Sequence, residues 1–256
     1  MDAVYTLMSA LKGQERQMNA VSNNLANVNT TGYKGDQVVF KEFYQASMGQ
    51  DLESDEEHFA HNEFLSPLSR SGASFVVSDH VAPDLSRGKF AQTGGTFDLA
   101  LQSEGYFEAE TPHGLRYTRD GKLLRDSKGF LINGQGDKIL GQKGAIQILG
   151  NEVSIVPDGT VLVDGKEVDR LRIVGFPEPD RMNKLGNSYW APASDKQKAF
   201  DIDDPQVRQG MIEKSNVETV DEMVKMIAVN RSYEASQRLL SAIDKVDEQS
   251  ISIARV

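Results

Sequence analysis

The first 28 residues carry apolar side chains at a seven-residue repeat, and no other feature constrains the fold as strongly. Seven of the eight repeat positions are apolar, and Gln14 is the exception. The eight positions are Val4, Leu7, Leu11, Gln14, Met18, Val21, Leu25 and Val28. This spacing predicts one side of a long coiled-coil helix. We expect the helix to end near Asn29, because Asn29, Thr30 and Thr31 are poor helix formers and Gly32 tolerates a positive φ.

The polar side of this helix carries amides in place of charges. Four asparagines follow its last charged residue, Arg16: Asn19, Asn23, Asn24 and Asn27. Amides can be hydrogen bonded inside protein without burying a charge, so this side predicts a helix surrounded by other protein. We expect Asn23, Asn27 and Asn29 to set the register through hydrogen bonds. A surface helix of chance composition is the alternative.

The C-terminal segment predicts a second long helix. No Gly or Pro occurs from Met211 to Val256, and Ser215–Glu218 has the pattern of a capping box. Apolar residues then follow at helical spacing, less regularly toward the end: Val220, Met223, Val224, Ile227, Tyr233, Leu240, Ile243 and Val246. We expect the two terminal helices to pair, with neighbouring copies covering the apolar surface that one pair leaves open.

The middle of the chain predicts short strands joined by tight turns. Of the 22 glycines, 15 lie between Gly94 and Gly186. Asp-Gly at 120, 158 and 164 and Asn-Gly at 133 predict hairpin turns, because these residues tolerate positive φ. The predicted fold class is α+β, with paired N- and C-terminal coiled-coil helices and an inserted, mainly antiparallel β domain. The predicted domains are a discontinuous helical domain of 1–35 and 212–256, a connector with an acidic loop over 36–74, and a β-rich domain over 75–211.

Composition excludes several classes of function. The net charge of −10 argues against nucleic acid and against an anionic membrane surface as partners. No run of 18 apolar residues is present, so we expect no membrane insertion. The absence of cysteine removes disulfides and thiolate chemistry. The first 20 residues lack the basic and apolar regions of a secretory signal, so we expect either a cytosolic protein or export without a cleaved signal.

Few residues suggest catalysis or ligand binding. His58 and His61 lie among carboxylates, but a solvated acidic loop explains them better than a metal site does. The glycines from Gly134 to Gly141 do not form a dinucleotide fingerprint, because Ile139 occupies the third glycine position. We therefore predict no catalytic, cofactor-binding or metal-binding residues, no cofactor and no enzymatic activity.

Two rival hypotheses remain open at this point. One is a secreted glycan-binding protein or enzyme on a helical dimerisation stalk, with a concave site around Tyr117, Arg119 and Trp190. Against it, an aromatic residue such as Trp190 is more often part of a core. The other rival is a cytosolic coiled-coil adaptor.

The stretch from Ser22 to Lys34, SNNLANVNTTGYK, resembles the signature of flagellar rod and hook proteins. Three further stretches resemble the same family: Phe97–Gly141, Gln209–Val217 and Glu222–Ala235. The resemblance is weakest over 36–93 and 150–208. It implies terminal helices that line an inner tube, an outer β domain, unfolded export through the flagellar secretion apparatus, and termini that fold on assembly.

The resemblance implies a structural subunit of the basal-body rod, which spans the periplasm and transmits torque from motor to hook. Its expected partners are copies of itself and neighbouring rod proteins. Met1-Asp2 with Tyr5, and the ending Ile253–Val256, resemble a proximal rod subunit more than a distal one, which is the alternative. The predicted assembly residues are Val4, Leu7, Leu11, Met18, Val21, Asn23, Leu25, Asn27, Asn29, Gly32, Tyr33, Met223, Ile227, Tyr233, Leu240 and Ile243.

Overall fold

A computed structural model of the chain describes residues 2–44, 74–194 and 197–253. By their contacts, the described residues divide into two units. The first unit draws on 1–22, 37–82 and 223–256, and the second on 23–36 and 83–222. Residues 23–36, which the sequence pattern groups with the terminal helices, thus belong to the second unit. His58, His61 and the acidic loop lie outside the described residues.

Two long helices bracket the chain, as predicted. Helix α1 spans Asp2–Ala26 and helix α2 spans Thr219–Ile253. Helix α1 ends three residues before the expected Asn29. Gly32 has the predicted positive φ, at +64°. Over their described residues, neither helix combines the length and apolar composition that crossing a bilayer requires.

The start of α2 differs from the predicted capping box. The Ser215 hydroxyl accepts a hydrogen bond from the Val217 N–H at 3.2 Å, one residue earlier than the capping box requires. The Glu218 carboxylate instead accepts a hydrogen bond from the Lys89 ammonium. The capping-box prediction is therefore wrong in its hydrogen bonds, and the helix begins at Thr219.

One side of α2 is buried or half-buried, and steps of four and three residues alternate along it. Its positions from Val220 to Val246 are Glu222, Met226, Val229, Tyr233, Ser236, Leu240 and Ile243. Met223 and Ile227 lie outside this side and are 49% and 55% exposed. The apolar row at the start of α2 therefore faces away from the buried side of its own helix.

Helix α1 is buried most deeply along a line of small residues beside the predicted repeat. Gly13, Ala20, Val21 and Asn24 are its buried positions, and of these only Val21 belongs to the repeat. The apolar repeat positions Val4, Leu7, Leu11, Met18 and Leu25 are half-buried. The centre of the buried side of α1 therefore lies slightly to one side of the apolar repeat that predicted it.

The second unit is built from antiparallel strands, as predicted. A two-stranded sheet, in which β1 (Asp36–Tyr44) pairs with β2 (Ser74–Pro83), precedes them where the sequence predicts a connector. The remaining strands are β3 (Phe90–Gln92), β4 (Leu99–Leu101), β5 (Tyr106–Thr111), β6 (Gly114–Thr118), β7 (Leu124–Arg125), β8 (Leu131–Ile132), β9 (Lys138–Gly141), β10 (Gly144–Ala145), β11 (Val153–Ile155), β12 (Thr160–Val163), β13 (Lys166–Arg170), β14 (Ile173–Gly175), β15 (Met182–Lys184), β16 (Tyr189–Pro192), β17 (Phe200–Asp201), β18 (Val207–Gln209) and β19 (Met211–Glu213). A short 3₁₀ helix spans Pro179–Arg181.

These strands form one large sheet and three small ones. The large sheet follows the order β15-β16-β6-β5-β9-β8-β7, with β10, β14 and β17 paired alongside. Strands β11, β12 and β13 form a three-stranded sheet, while β18 pairs with β4 and β19 with β3. The last two pairings matter for the site, because they bring the strands that precede α2 against the start of the β-rich unit.

Three of the four predicted hairpin turns are confirmed. Asn133-Gly134 joins β8 to β9, Asp158-Gly159 joins β11 to β12, and Asp164-Gly165 joins β12 to β13. The Asp120-Gly121 prediction is wrong. The Gly121 carbonyl accepts the Leu99 N–H at 2.9 Å, and a Cβ at Gly121 would lie 1.7 Å from the Leu99 carbonyl oxygen. This glycine allows two backbone segments to approach closely.

Two apolar clusters fill the second unit. The larger contains Leu99, Phe107, Leu131, Ile139 and Val161, with twelve other buried residues around them. The smaller is aromatic, with Tyr106, Tyr117, Val174, Phe176, Met182 and Trp190 in contact. Trp190 is only 1% exposed and its ring centroid lies 6.0 Å from that of Tyr106. Trp190 is therefore a core residue, and the hypothesis of a glycan platform at this position is wrong.

Candidate functional site at the helix ends

The densest buried polar cluster described lies where α1 ends and α2 begins, within the second unit. Residues 31–36 follow α1 through a turn at Thr31 and Gly32 and contact the segments before α2. We call this cluster the junction and define it by Asn24, Thr31, Tyr33, Lys34, Asp36, Arg119, Asp120, Lys184, Glu213, Asn216 and Glu222. It combines charged, amide and hydroxyl groups that are hydrogen bonded to one another.

Asn24 is the first anchor of the junction and is buried. Its Nδ2 donates to the Asp36 carbonyl at 2.9 Å and to the Glu222 carboxylate at 3.4 Å. Its Oδ1 accepts from the Asp36 N–H at 2.7 Å and from the Tyr33 hydroxyl at 3.2 Å. One amide thereby connects the last turn of α1, the segment after it and the first turn of α2.

Lys34 and Glu213 form the charged centre of the junction, and each side chain is 2% exposed. The Lys34 ammonium donates to Glu213 Oε1 and to the Ser86 carbonyl, both at 2.7 Å. The same Oε1 accepts the Gly88 N–H at 3.1 Å, and the Arg119 guanidinium lies 3.6 Å from Oε2. Burial lowers the pKa of Lys34, and the Glu213 carboxylate opposes that shift. The pair is desolvated, so its two charges depend on each other.

Asn216 is the matching amide on the other side of the junction, three residues before α2. Its Oδ1 accepts the Gly35 N–H at 2.8 Å. Its Nδ2 donates to the Asp84 carbonyl at 2.8 Å and to the Ser86 hydroxyl at 3.0 Å. The chain entering α2 is thus fixed to the chain leaving α1.

Lys184 closes the junction from strand β15. Its ammonium donates to Asp36 Oδ1 at 2.8 Å and to the Lys34 carbonyl, and lies 3.9 Å from the centroid of the Tyr33 ring. Burial lowers the pKa of Lys184, while Asp36 opposes the shift. Burial raises the pKa of the Tyr33 hydroxyl, and the nearby Asp36 and Glu222 charges raise it further. The tyrosine therefore stays protonated and can donate to Asn24.

Gly32 and Thr31 fix the turn that follows α1. The Gly32 N–H donates to the Glu213 carbonyl at 2.8 Å, and a Cβ there would lie 2.4 Å from the Arg119 carbonyl carbon. The Thr31 hydroxyl donates to the Asp120 carboxylate, whose pKa is raised by burial. Asp120, predicted in a hairpin turn, is instead an anchor for the turn after α1.

The predicted assembly residues fall into three groups. The junction contains Gly32 and Tyr33, and the helix sides described above contain Val4, Leu7, Leu11, Met18, Val21, Leu25, Tyr233, Leu240 and Ile243. Met223 and Ile227 are exposed. The three asparagines predicted to set the register lie in or directly after the last turns of α1, and their role in the assembly stays a prediction. The Asn23 amide donates to Asp36 Oδ2 at 3.2 Å, Asn27 donates back to the Asn23 carbonyl at 2.9 Å, and Asn29 is exposed.

Sequence reasoning missed most of the residues that form the junction. Lys34 and Glu213 are 179 positions apart, and charged residues ordinarily indicate a solvated surface. Lys184 gave no local signal either, whereas Arg119 and Asn216 lie in two of the stretches that carry the family resemblance. Asn24 did give one, because it stands in the amide-rich row of α1 together with Asn23 and Asn27.

The junction has the composition of a structural connection. The Glu213 and Asp36 carboxylates are compensated by ammonium and guanidinium groups, while the Asp120 carboxylate accepts a hydrogen bond from a hydroxyl. Among the described residues, no group of three or more His, Asp or Glu has the geometry to hold a metal ion. The arrangement is suited to fixing one backbone segment against another.

Family comparisons match three segments of the chain. Residues 4–34 match a family described as "Flagella basal body rod protein". Residues 208–253 match "Flagellar basal body rod FlgEFG protein C-terminal", and residues 100–163 match "Flagellar hook protein FlgE/F/G D1 domain". The first two segments contain Lys34 and Glu213 respectively.

Full-length relatives carry the same descriptions. The chain is 27% identical over 268 residues to the flagellar basal-body rod protein FlgG of Bacillus subtilis, covering 99% of each chain. It is 28% identical over 253 residues to the flagellar basal-body rod protein FlgF of Caulobacter vibrioides, covering 98% of this chain and 96% of the relative. The FlgG protein of Borreliella burgdorferi is 28% identical over 263 residues.

Proposed function

We propose that the chain is a structural subunit of the flagellar basal-body rod, which its three matched segments and its full-length relatives support, and that it transmits torque through the junction. The observation that carries this proposal is the buried Lys34–Glu213 pair with the amides Asn24 and Asn216 on either side of it. Together they fix the end of α1 and the start of α2 to the same strands. A load applied along either helix would therefore act on the β strands through buried bonds.

The physical basis is the resistance of the junction to local opening. A neutral hydrogen bond contributes about 0.5–1.5 kcal/mol net, whereas leaving one member of a buried ion pair alone costs about 3–5 kcal/mol. Because Asn24, Asn216 and Lys184 act on the same short segment, no single bond must bear the load. The segment opens only if several buried groups lose their partners together.

The family assembles into the rod, and we propose that this chain contacts its neighbours through the apolar residues of its helices. Met223, Val224 and Ile227 are each about half or more exposed on α2, although the chain carries a net charge of −10. Exposed apolar groups at helical spacing are typical of protein interfaces. The half-buried Leu11 and Met18 of α1 extend the apolar surface available to neighbouring copies and other rod proteins.

The assembly proposal is tested in a strain that lacks the gene and is complemented with variants. We expect Ile227→Asp and Leu11→Asp to abolish swimming and to remove rods from purified basal bodies, because a carboxylate in an apolar contact is left unpaired. Asn230→Asp adds the same charge at an exposed α2 position and should leave swimming intact. Trp190 emission should be native in all three purified variants, and normal swimming of both aspartate variants of the apolar surface would refute the proposal.

We further propose the proximal position in the rod and export through the flagellar secretion apparatus. Relatives named FlgF and FlgG are similarly identical to the chain, so identity favours neither position. The residues Met1-Asp2, Tyr5 and Ile253–Val256 support the proximal assignment. Expression should restore rods in a strain lacking FlgF and not in one lacking FlgG. Accumulation of the chain in the cytoplasm of a secretion-deficient strain would support export by that apparatus.

A further inference from the structure

The two terminal helices meet in the first unit at a layer of polar side chains. Gln14 of α1 donates from Nε2 to the Ser232 hydroxyl at 2.8 Å and to the Ser236 hydroxyl at 3.3 Å, both on α2. Ser236 is buried and its hydroxyl donates to the Ser232 carbonyl at 3.0 Å. We call Gln14, Ser232 and Ser236 the polar layer.

The polar layer interrupts the apolar sequence of both helices at the same place. Gln14 is the single polar residue among the eight repeat positions of α1. On the buried side of α2, Ser236 stands between Tyr233 and Leu240. Gln14 Oε1 is buried and has no hydrogen-bond donor among the described residues, so this layer does not maximise stability. A polar residue inside an apolar heptad lowers stability and specifies register.

The contacts fix an antiparallel register for the two helices. Near the end of α1, Asn24 contacts Glu222. Ten residues earlier on α1, Gln14 contacts Ser232 and Ser236, which lie ten and fourteen residues later on α2. A shift of α2 by one heptad would move it by about 10.5 Å along α1. Gln14 would then face the position of Val229 or Ile243 in place of Ser236, and its amide would lose both hydroxyl partners.

We infer that Gln14 determines the register in which α1 pairs with α2. The apolar repeat by itself is satisfied at any shift of seven residues. Only the observed alignment gives the Gln14 amide its hydroxyl partners, and an amide that faces apolar side chains is left unsatisfied. The polar layer thus selects this register over pairs shifted by a heptad.

Nitroxide labels on both helices test this inference in the full-length chain. The chain has no cysteine, so cysteines introduced at Met8 and Leu239 label only those positions. These side chains are 45% and 58% exposed on α1 and α2, so the labels do not enter the buried sides. Double electron–electron resonance on the doubly labelled chain reports the register. A mixture of chains labelled at one site each gives a signal only when helices of two copies pair.

Three variants separate the polar layer from a general effect of hydrophobicity. Gln14→Leu removes the amide, and Gln17→Leu makes the same change at a half-buried position of α1 outside the repeat. The exchange variant Gln14→Ser with Ser236→Gln restores a polar pair in reversed order. We expect one narrow distance for the unchanged chain, for Gln17→Leu and for the exchange variant. For Gln14→Leu we expect a second distance population, because a shift of α2 by one heptad moves its label by about 10.5 Å along the helix axis.

Several results would overturn the inference. A single unchanged distance in Gln14→Leu, with no signal between copies, would show that the junction alone sets the register. A second population in Gln17→Leu would indicate that added hydrophobicity is the cause. A broad distribution in the unchanged chain would show that the helices are not paired as described. Because each result is read on the purified chain, it is independent of whether the chain completes a rod.

Discussion

Replacing Lys34 by methionine tests whether the buried ion pair holds the junction together. Methionine keeps the length of the side chain and loses the ammonium that donates to Glu213 and to the Ser86 carbonyl. Glu213 would retain the Gly88 N–H at 3.1 Å and the Arg119 guanidinium at 3.6 Å. The loss should therefore lie near the lower end of the range for a broken buried pair, about 3 kcal/mol.

Urea unfolding followed by Trp190 fluorescence measures this loss. Trp190 is the only tryptophan, and it lies in the aromatic cluster of the second unit, which also contains Lys34. With a slope of about 2 kcal/mol per M, a loss of 3 kcal/mol lowers the midpoint by roughly 1.5 M. The double variant Lys34→Met with Glu213→Gln should lose less stability than the sum of the losses in the two single variants. The neutral amide of the glutamine does not leave a buried carboxylate without its cation.

An exposed ion pair in the same unit provides the matched control. Lys89 pairs with Glu218, and their side chains are 82% and 60% exposed. Lys89→Met should leave the urea midpoint unchanged, because solvent and salt screen an exposed pair. If Lys34→Met and Lys89→Met shift the midpoint equally, burial does not strengthen the Lys34–Glu213 pair and the junction is no stronger than a surface contact.

Three further measurements address the same unit. Gly32→Ala should lower the free energy of unfolding by about 1–3 kcal/mol, since φ is +64° and the added Cβ would lie 2.4 Å from a backbone carbon. Gly134→Ala is the control, because Gly134 has open space around it, and this variant should unfold like the unchanged chain. Hydrogen exchange on the dilute chain should show residues 23–36 as protected as 95–210, and fast exchange there would mean that the junction forms only on assembly. Burial raises the pKa of the Glu108 carboxyl above its ordinary 4.5, so its contribution to stability is greatest in acid and is lost as pH rises through the raised value. Glu108→Gln should flatten the part of the profile just above pH 4.5, and parallel profiles would contradict the assignment.

Features encoded by neighbouring residues could be predicted from the sequence. The heptad spacing gave α1, and a segment without Gly or Pro gave α2. Asn133-Gly134, Asp158-Gly159 and Asp164-Gly165 predicted their turns correctly. The expected positive φ is found at Gly159, Asp164 and Gly165, whereas in the turn after β8 it lies at Gly136. The continuous stretch from Ser22 to Lys34 indicated the family because its residues adjoin in the chain. Each of these features is decided within about four to seven residues.

Features that depend on distant parts of the chain were decided by the tertiary structure. The first turns of α2 offer an apolar row through Met223 and Ile227, yet the buried side runs through Glu222, Val229 and Ser236. Helical spacing identifies rows of residues and does not say which row meets another element. Here the buried side is the one that meets Asn24 and Gln14 of α1.

The burial of the charged residues in the junction likewise could not be predicted from the residues next to them in the sequence. Lys34 and Glu213 are each expected at the surface from their side chains alone, and they are buried because each lies next to the other across 179 positions of sequence. The Asp120-Gly121 pair has the sequence typical of a hairpin turn, but Leu99 and Thr31 come from elsewhere in the chain. They hydrogen bond to the pair and make it part of a tertiary contact. The sequence determined the two helices and three of the four predicted hairpin turns through interactions between neighbouring residues. The tertiary structure decided which residues form the junction, because desolvation and the pairing of distant charges depend on which groups lie nearby in space.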